Sequence, residues 1–102
     1  MKLAMEDLTS ELVESCVQVI FDWDEIEESA PRYGGVYLMT DTDTHVVYVM
    51  KARNFREQLL DHWEKRMWEE VDDVYCLRVT GMDIEQLYHR LVDAYQPVFN
   101  AS

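Results

Sequence analysis

Basic residues are scarce in this chain: nine Lys and Arg stand against 21 Asp and Glu among 102 residues, a formal net charge of −12. Affinity for a nucleic-acid duplex comes largely from neutralising phosphates, so direct nucleic-acid binding by so acidic a surface is not expected. Cysteine is rarer still. Cys16 and Cys76 have no CxxC or Cys/His ligand spacing around them, which leaves two reduced thiols rather than a zinc site or a disulfide framework. With only three glycines and two prolines, the chain shows no glycine-rich phosphate loop, linker or low-complexity segment. The longest apolar run, Val46 to Met50, falls far short of the roughly 20 residues that a bilayer span requires. Lys2 is followed by Glu6, Asp7, Glu11 and Glu14, unlike a signal or transit peptide, and a cytoplasmic location is expected. No Ser/His/Asp order or Walker-type motif appears. His45, His62 and His89 are scattered, with no carboxylate or cysteine at ligand spacing, so neither a metal nor a cofactor is expected.

What is present suffices for one modest core: 48% of residues are hydrophobic and 12% aromatic, consistent with a single domain over 1–102. Leu8, Leu12, Val13, Cys16, Val17 and Ile20 fall at helical spacing, which predicts an amphipathic helix from Glu6 to Ile20. Asp22-Trp23-Asp24-Glu25-Ile26-Glu27-Glu28 predicts a short helical turn that pins Trp23 and Ile26 and turns its carboxylates outward. Val36–Thr40 and His45–Lys51 are rich in β-branched and aromatic residues. Asp41-Thr42-Asp43-Thr44 between them is turn chemistry, so the two form an antiparallel hairpin. Asn54 is a good N-cap for a helix from Phe55 to Trp68, with Phe55, Leu59, Trp63 and Met67 spaced by four. Val74–Thr80 reads as a third strand. Ile84, Leu87, Tyr88, Leu91, Val92 and Tyr95 then line one face of a last helix that Pro97 ends. The expected architecture is α+β: a three-stranded antiparallel sheet flanked by helices, with an extra N-terminal helix over 1–22 and a core over 23–102.

Five short motifs occur in order: Gly35-Val36-Tyr37, Val47-Tyr48-Val49-Met50-Lys51-Ala52, Asn54-Phe55-Arg56-Glu57-Gln58-Leu59, His62, and Tyr95-Gln96-Pro97-Val98-Phe99-Asn100. Together they resemble the GIY-YIG nuclease family, whose members cut DNA with a divalent metal, a tyrosine pair, an arginine on the first domain helix and a metal-binding glutamate on a later helix. The resemblance puts Tyr37 and Tyr48 at the tyrosine positions, Gln58 at the arginine position, Tyr88 at the glutamate position and Met50 at the glycine of the second signature. Gln58 cannot supply a positive fork to a transferring phosphoryl group, and a phenol cannot replace a carboxylate as a Mg²⁺ ligand. Glu85, three residues before Tyr88, is the candidate for rescue, although a carboxylate near a helix N-terminus is favoured by the dipole alone.

The resulting expectation is a protein that is not an enzyme: a degenerate GIY-YIG domain working by protein–protein contact. Its binding residues would be Asp22, Asp24, Glu25, Glu27 and Glu28 with Glu69, Glu70, Asp72 and Asp73. Such faces suit an acidic inhibitor or DNA mimic of a basic nucleic-acid-binding enzyme, in the manner of phage counter-defence proteins, and a homodimer stays open. The alternative is a metal-dependent DNA endonuclease with a rearranged active site. Lys51, Arg53 and Arg56 form the single basic cluster and read as local charge balance.

Overall fold

The computed structural model describes residues 1–65 and 71–100. The tyrosine-bearing segments pair as expected: β2 (Gly35–Thr40) and β3 (Val46–Ala52) form an antiparallel hairpin, with a register shift between Met39 and Thr40. Asp41 stabilises the turn, its Oδ1 accepting the amides of Asp43 and His45 at 3.0 and 2.9 Å. Asn54 caps α2 (Phe55–Lys65), accepting the Glu57 amide at 3.1 Å. The portion of that helix expected over 66–68 lies outside the described residues.

The N-terminal segment differs from expectation. Instead of a helix from Glu6 to Ile20, it forms a single 3₁₀ turn over Met5–Leu8 and then strand β1 (Ser15–Ile20). Val17 and Val19 alternate with Gln18 and Ile20, and this period-2 pattern is used once β4 (Asp73–Arg78) is available as a partner. The sheet therefore has four strands, not three, in the order β1-β4-β2-β3, with each neighbouring pair antiparallel. Asp22–Glu28 does become helical, as α1 (Trp23–Ser29). It buries Ile26 fully, and Trp23 Nε1 donates to Glu27 at 2.7 Å.

Two cores sit on opposite faces of the sheet. Ile26, Tyr37, Phe55, Leu59 and Cys76 fill the face covered by α1 and α2. Val36, Leu38, Leu77, Leu87 and Leu91 fill the other, where α3 (Asp83–Tyr95) lies across β2 and β3. Gly35 is required where β2, β4 and α2 meet. A Cβ there would stand 2.1 Å from the Leu77 carbonyl oxygen, and its φ is +156°.

The outer edge of β3 is sealed. The Asn100 side chain acts as a piece of strand backbone, its Oδ1 accepting from Val49 N and its Nδ2 donating to Val49 O, both at 2.8 Å. The Phe99 amide donates to Val47 O at 3.0 Å, and Met1–Leu3 bonds to the hairpin on either side of His45. At the far end of α3, the buried Tyr95 hydroxyl accepts the Ala4 amide at 3.0 Å and donates to the Asp7 carboxylate. Among the described residues no helix is long and apolar enough to cross a membrane.

Candidate functional site

The two signature tyrosines come together by strand pairing. Tyr37 on β2 stands beside Met50 and Met39 beside Tyr48, so the phenols lie diagonally on the α2 face with ring centroids 6.1 Å apart. α2 then lays Gln58 and His62 over them, one helical turn apart. Gln58 Nε2 donates to Tyr37 Oη at 2.9 Å and to the Lys51 carbonyl at 3.1 Å. Tyr37 Oη lies 3.4 Å from His62 Nδ1. At that distance the contact is a weak hydrogen bond, with the imidazole tautomer deciding which partner donates.

Burial sets the protonation states here. It pushes the fully buried Tyr37 phenol far above its usual range, and raises Tyr48, with the Tyr88 phenol adding to the latter effect. It also holds His62 below its ordinary value, against a smaller opposing pull from Asp61, so the imidazole is neutral at pH 7. Neither tyrosine is a phenolate at neutral pH.

An open cleft of roughly 870 Å³ runs in front of this cluster, between β3, α2 and the start of α3. Tyr48, Lys51, Arg53, Asn54, Gln58, His62 and Glu85 line it, together with Glu57 and Asp61 from one face of α2. Glu85 reaches across to Lys51, Oε1 to Nζ 2.6 Å, while its Oε2 lies 3.4 Å from His89 Nε2. The Lys51 hydrogen bond holds the Glu85 carboxyl below its usual range. Lys51 Nζ also sits 4.9 Å from the centroid of the Tyr88 ring.

Of the positions singled out from sequence, Tyr37, Tyr48 and Gln58 form one hydrogen-bonded and packed cluster, and Glu85 faces the same cleft. Tyr88 is half-buried, packing against the α3 core and under Lys51. The basic cluster divides. Lys51 and Arg53 face the cleft, whereas Arg56 turns away and donates from Nε to the Ala30 carbonyl at 2.9 Å, capping α1. The acidic segments behave differently from their spacing in sequence. Phe21 N donates to Asp72 O at 2.8 Å and Ile20 pairs with Asp73, which brings Asp22 to the same end of the sheet as Asp72 and Asp73. Asp24, Glu25, Glu27 and Glu28 follow on α1, and Glu69 and Glu70 lie outside the described residues. His45 and His89 stand apart from His62, pairing with Asp41 and Glu85.

Sequence reasoning missed the Lys51–Glu85 pair, which joins β3 to α3, and the cleft-lining Glu57 and Asp61, whose spacing of four was the available signal. It also missed Asn100 as the clasp on Val49.

No protein-family model matches the chain. Among curated proteins it is similar to UvrABC system protein C of Hydrogenovibrio crunogenus, at 30% identity over 89 residues, covering 78% of this chain and 14% of that protein. The same protein from Dichelobacter nodosus is 32% identical over 89 residues, with coverage of 78% and 15%. The chain thus spans about one seventh of the length of these relatives. Among solved structures it is similar to the GIY-YIG N-terminal endonuclease domain of UvrC from Thermotoga maritima bound to magnesium. That match has a TM-score of 0.64 at 22% identity and covers 76% of this chain and 98% of that one. A point mutant of the same domain, also with its catalytic divalent cation, gives 0.64 at 20% identity, covering 78% and 98%.

These matches overturn the expectation that the chain is not an enzyme, because the scaffold it reproduces almost entirely is a catalytic endonuclease domain. That domain holds a divalent cation, so the donors present here can be tested against one. Glu85 offers a hard carboxylate oxygen in the cleft lining, its carboxyl held below the usual range by the Lys51 ammonium 2.6 Å from Oε1. Among the described residues no cluster of three or more His, Cys, Asp or Glu can hold a metal ion. The donor set fits a Mg²⁺-like ion that shares its shell with substrate phosphate, which one carboxylate can support, and does not fit one caged by the protein alone.

Proposed function

This chain is a domain of the GIY-YIG fold, and on that premise we propose that it cleaves phosphodiester bonds of nucleic acid in the cleft between β3, α2 and α3. The observation that carries this reading is convergence: Tyr48, Lys51, Gln58, His62 and Glu85, drawn from three elements, line one cleft backed by Tyr37. Lys51 and Arg53 supply cationic contacts to phosphate oxygens in an otherwise acidic molecule. Gln58 holds the Tyr37 hydroxyl in place beside His62. The neutral His62 can take a proton that neither phenol can accept in its protonated form. Glu85 would hold the divalent cation jointly with substrate. Such an ion, when bound, stabilises charge on the scissile phosphate and sharpens the attacking water.

Incubation with supercoiled plasmid and with branched DNA in Mg²⁺ or Mn²⁺ tests this. The expected result is nicking that Glu85→Gln or Tyr48→Phe lowers on the order of 10²-fold. Wild-type protein that leaves both substrates intact in both metals sinks the reading.

A second reading is favoured by the net charge of −12 and the gathering of Asp22, Asp72 and Asp73 at one end of the sheet. Here the acidic faces contact a basic nucleic-acid-binding protein and compete with DNA for its groove. Affinity for such a partner would fall steeply with added salt, whereas salt-insensitive binding would exclude it.

A further inference from the structure

The two edges of the sheet are treated in opposite ways. β3 is closed by Asn100, Phe99 and Met1–Leu3, while no strand pairs with the outer side of β1 among the described residues. The β1 edge also lacks the usual protections against further pairing. Its six residues, Ser-Cys-Val-Gln-Val-Ile, include no charge and no proline, and its register with β4 runs unbroken from Ser15↔Arg78 to Ile20↔Asp73, without a bulge.

The faces of β1 are equally unequal. Val17 and Val19 pack into the core beside α1, but Cys16, Gln18 and Ile20 point to the α3 side of the sheet, where α3 covers β2 and β3 and stops short of β1. Ile20 is 56% exposed there. An unpaired hydrogen-bonding edge thus adjoins an exposed face on which Ile20 is the large apolar side chain.

Charge selects the occupant. At the Ile20 end stand Asp22, Asp72 and Asp73, none of them in an ion pair among the described residues. At the Ser15 end Glu14 and Glu11 already face Arg78 and Arg90, at 3.5 and 3.8 Å. A second copy of the chain would bring a further −12, and the arginines described near its Ser15 end already face Glu14 and Glu11. We propose that the β1 edge is a docking site for an extended segment of a basic protein, which adds a fifth strand with β-branched side chains over Ile20 and Lys or Arg beside Asp22 and Asp72. The site lies on the strand farthest from β3 and its cleft, so it stands whether or not the chain cuts nucleic acid.

The test uses the full ¹⁵N-labelled chain and three synthetic peptides. The first is Lys-Lys-Thr-Val-Thr-Val-Arg-Lys, the second has Glu for each Lys and Arg, and the third is the first with alternate backbone nitrogens methylated. The expected result is shift changes and slowed amide exchange confined to Ser15–Ile20 with the first peptide. Binding should weaken about tenfold with the acidic one and vanish with the methylated one. Ile20→Lys, at an exposed position, should reduce affinity for the first peptide while leaving the spectrum of the rest of the chain in place. Three results would each overturn the proposal: no change in β1 at millimolar peptide, changes that map to the cleft, or β1 shifts that follow the chain's own concentration and so report self-pairing.

Discussion

Tyr37 shows how much a single hydroxyl organises. It is fully buried, and its oxygen joins α2 to the sheet through Gln58 and His62. Tyr37→Phe removes both contacts while Gln58 keeps the Lys51 carbonyl, so urea denaturation should show a loss of about 1 kcal/mol rather than collapse. Gly35 tolerates far less. Any side chain there meets the Leu77 carbonyl, and Gly35→Ala should cost about 3 kcal/mol or more, read as a lowered denaturation midpoint. His62 adds a pH dependence. Its folded value lies below the unfolded one near 6.5, so the unfolded chain binds the proton first and stability falls as pH drops through 6.5 towards the lower folded value. His62→Gln should flatten that slope in melts taken between pH 5 and 7. Tyr37, Tyr48 and Gln58 were singled out by the resemblance of their motifs to the GIY-YIG family, and the strand pairing and the capped helix bring the three together. The Lys51–Glu85 pair was not, since nothing in a linear sequence gives the approach of α3 to β3.

At the scale of elements, the hairpin, α2 and α3 were legible because each carries its own punctuation: the Asp41 turn, the Asn54 cap and the break at Gln96-Pro97. β1 carries none. Its apolar residues, taken with Leu8, Leu12 and Val13, satisfy a helical period, and the deciding partner, β4, lies far along the chain. The consequence of that error was large, since it hid the fourth strand and with it the sheet's open edge. The 3₁₀ turn that replaces the expected helix is held by Tyr95, whose phenol is pushed up to about 12, by burial first and the Asp7 carboxylate second. A tyrosine raised in the folded state gives stability that is complete below its unfolded value near 10 and is lost as pH rises through about 12. Tyr95→Phe should shrink that alkaline limb in a stability profile, leaving the share of other buried phenols such as Tyr37, and speed amide exchange at Ala4.

At the scale of the molecule, −12 formal charges share a body of 31 × 27 × 24 Å. In about 0.01 M salt the screening length of roughly 30 Å matches those dimensions, so every carboxylate feels every other; at about 0.15 M it falls to roughly 8 Å. The melting temperature should therefore rise with NaCl over that range, the reverse of what a fold held by surface ion pairs would show. A flat response would mean that local pairs such as Lys51–Glu85 and Glu14–Arg78 already offset the repulsion. The class of fold was legible at this scale from composition and element order, while the strand order was not, because it depends on which distant segments meet.

That strand order also governs how the protein can be made. β4 lies between β1 and β2 yet is the last strand to be synthesised. A ribosome that has finished residue 20 must reach residue 78 before Ser15–Ile20 has its partner, a wait of roughly 3–12 s at ordinary elongation rates. Once that segment has left the ribosome, and until β4 follows, the nascent chain displays an uncharged, β-prone hexapeptide with both sides unclaimed. Slowed translation before Asp73 is thus the circumstance in which this small domain is most exposed to misassembly.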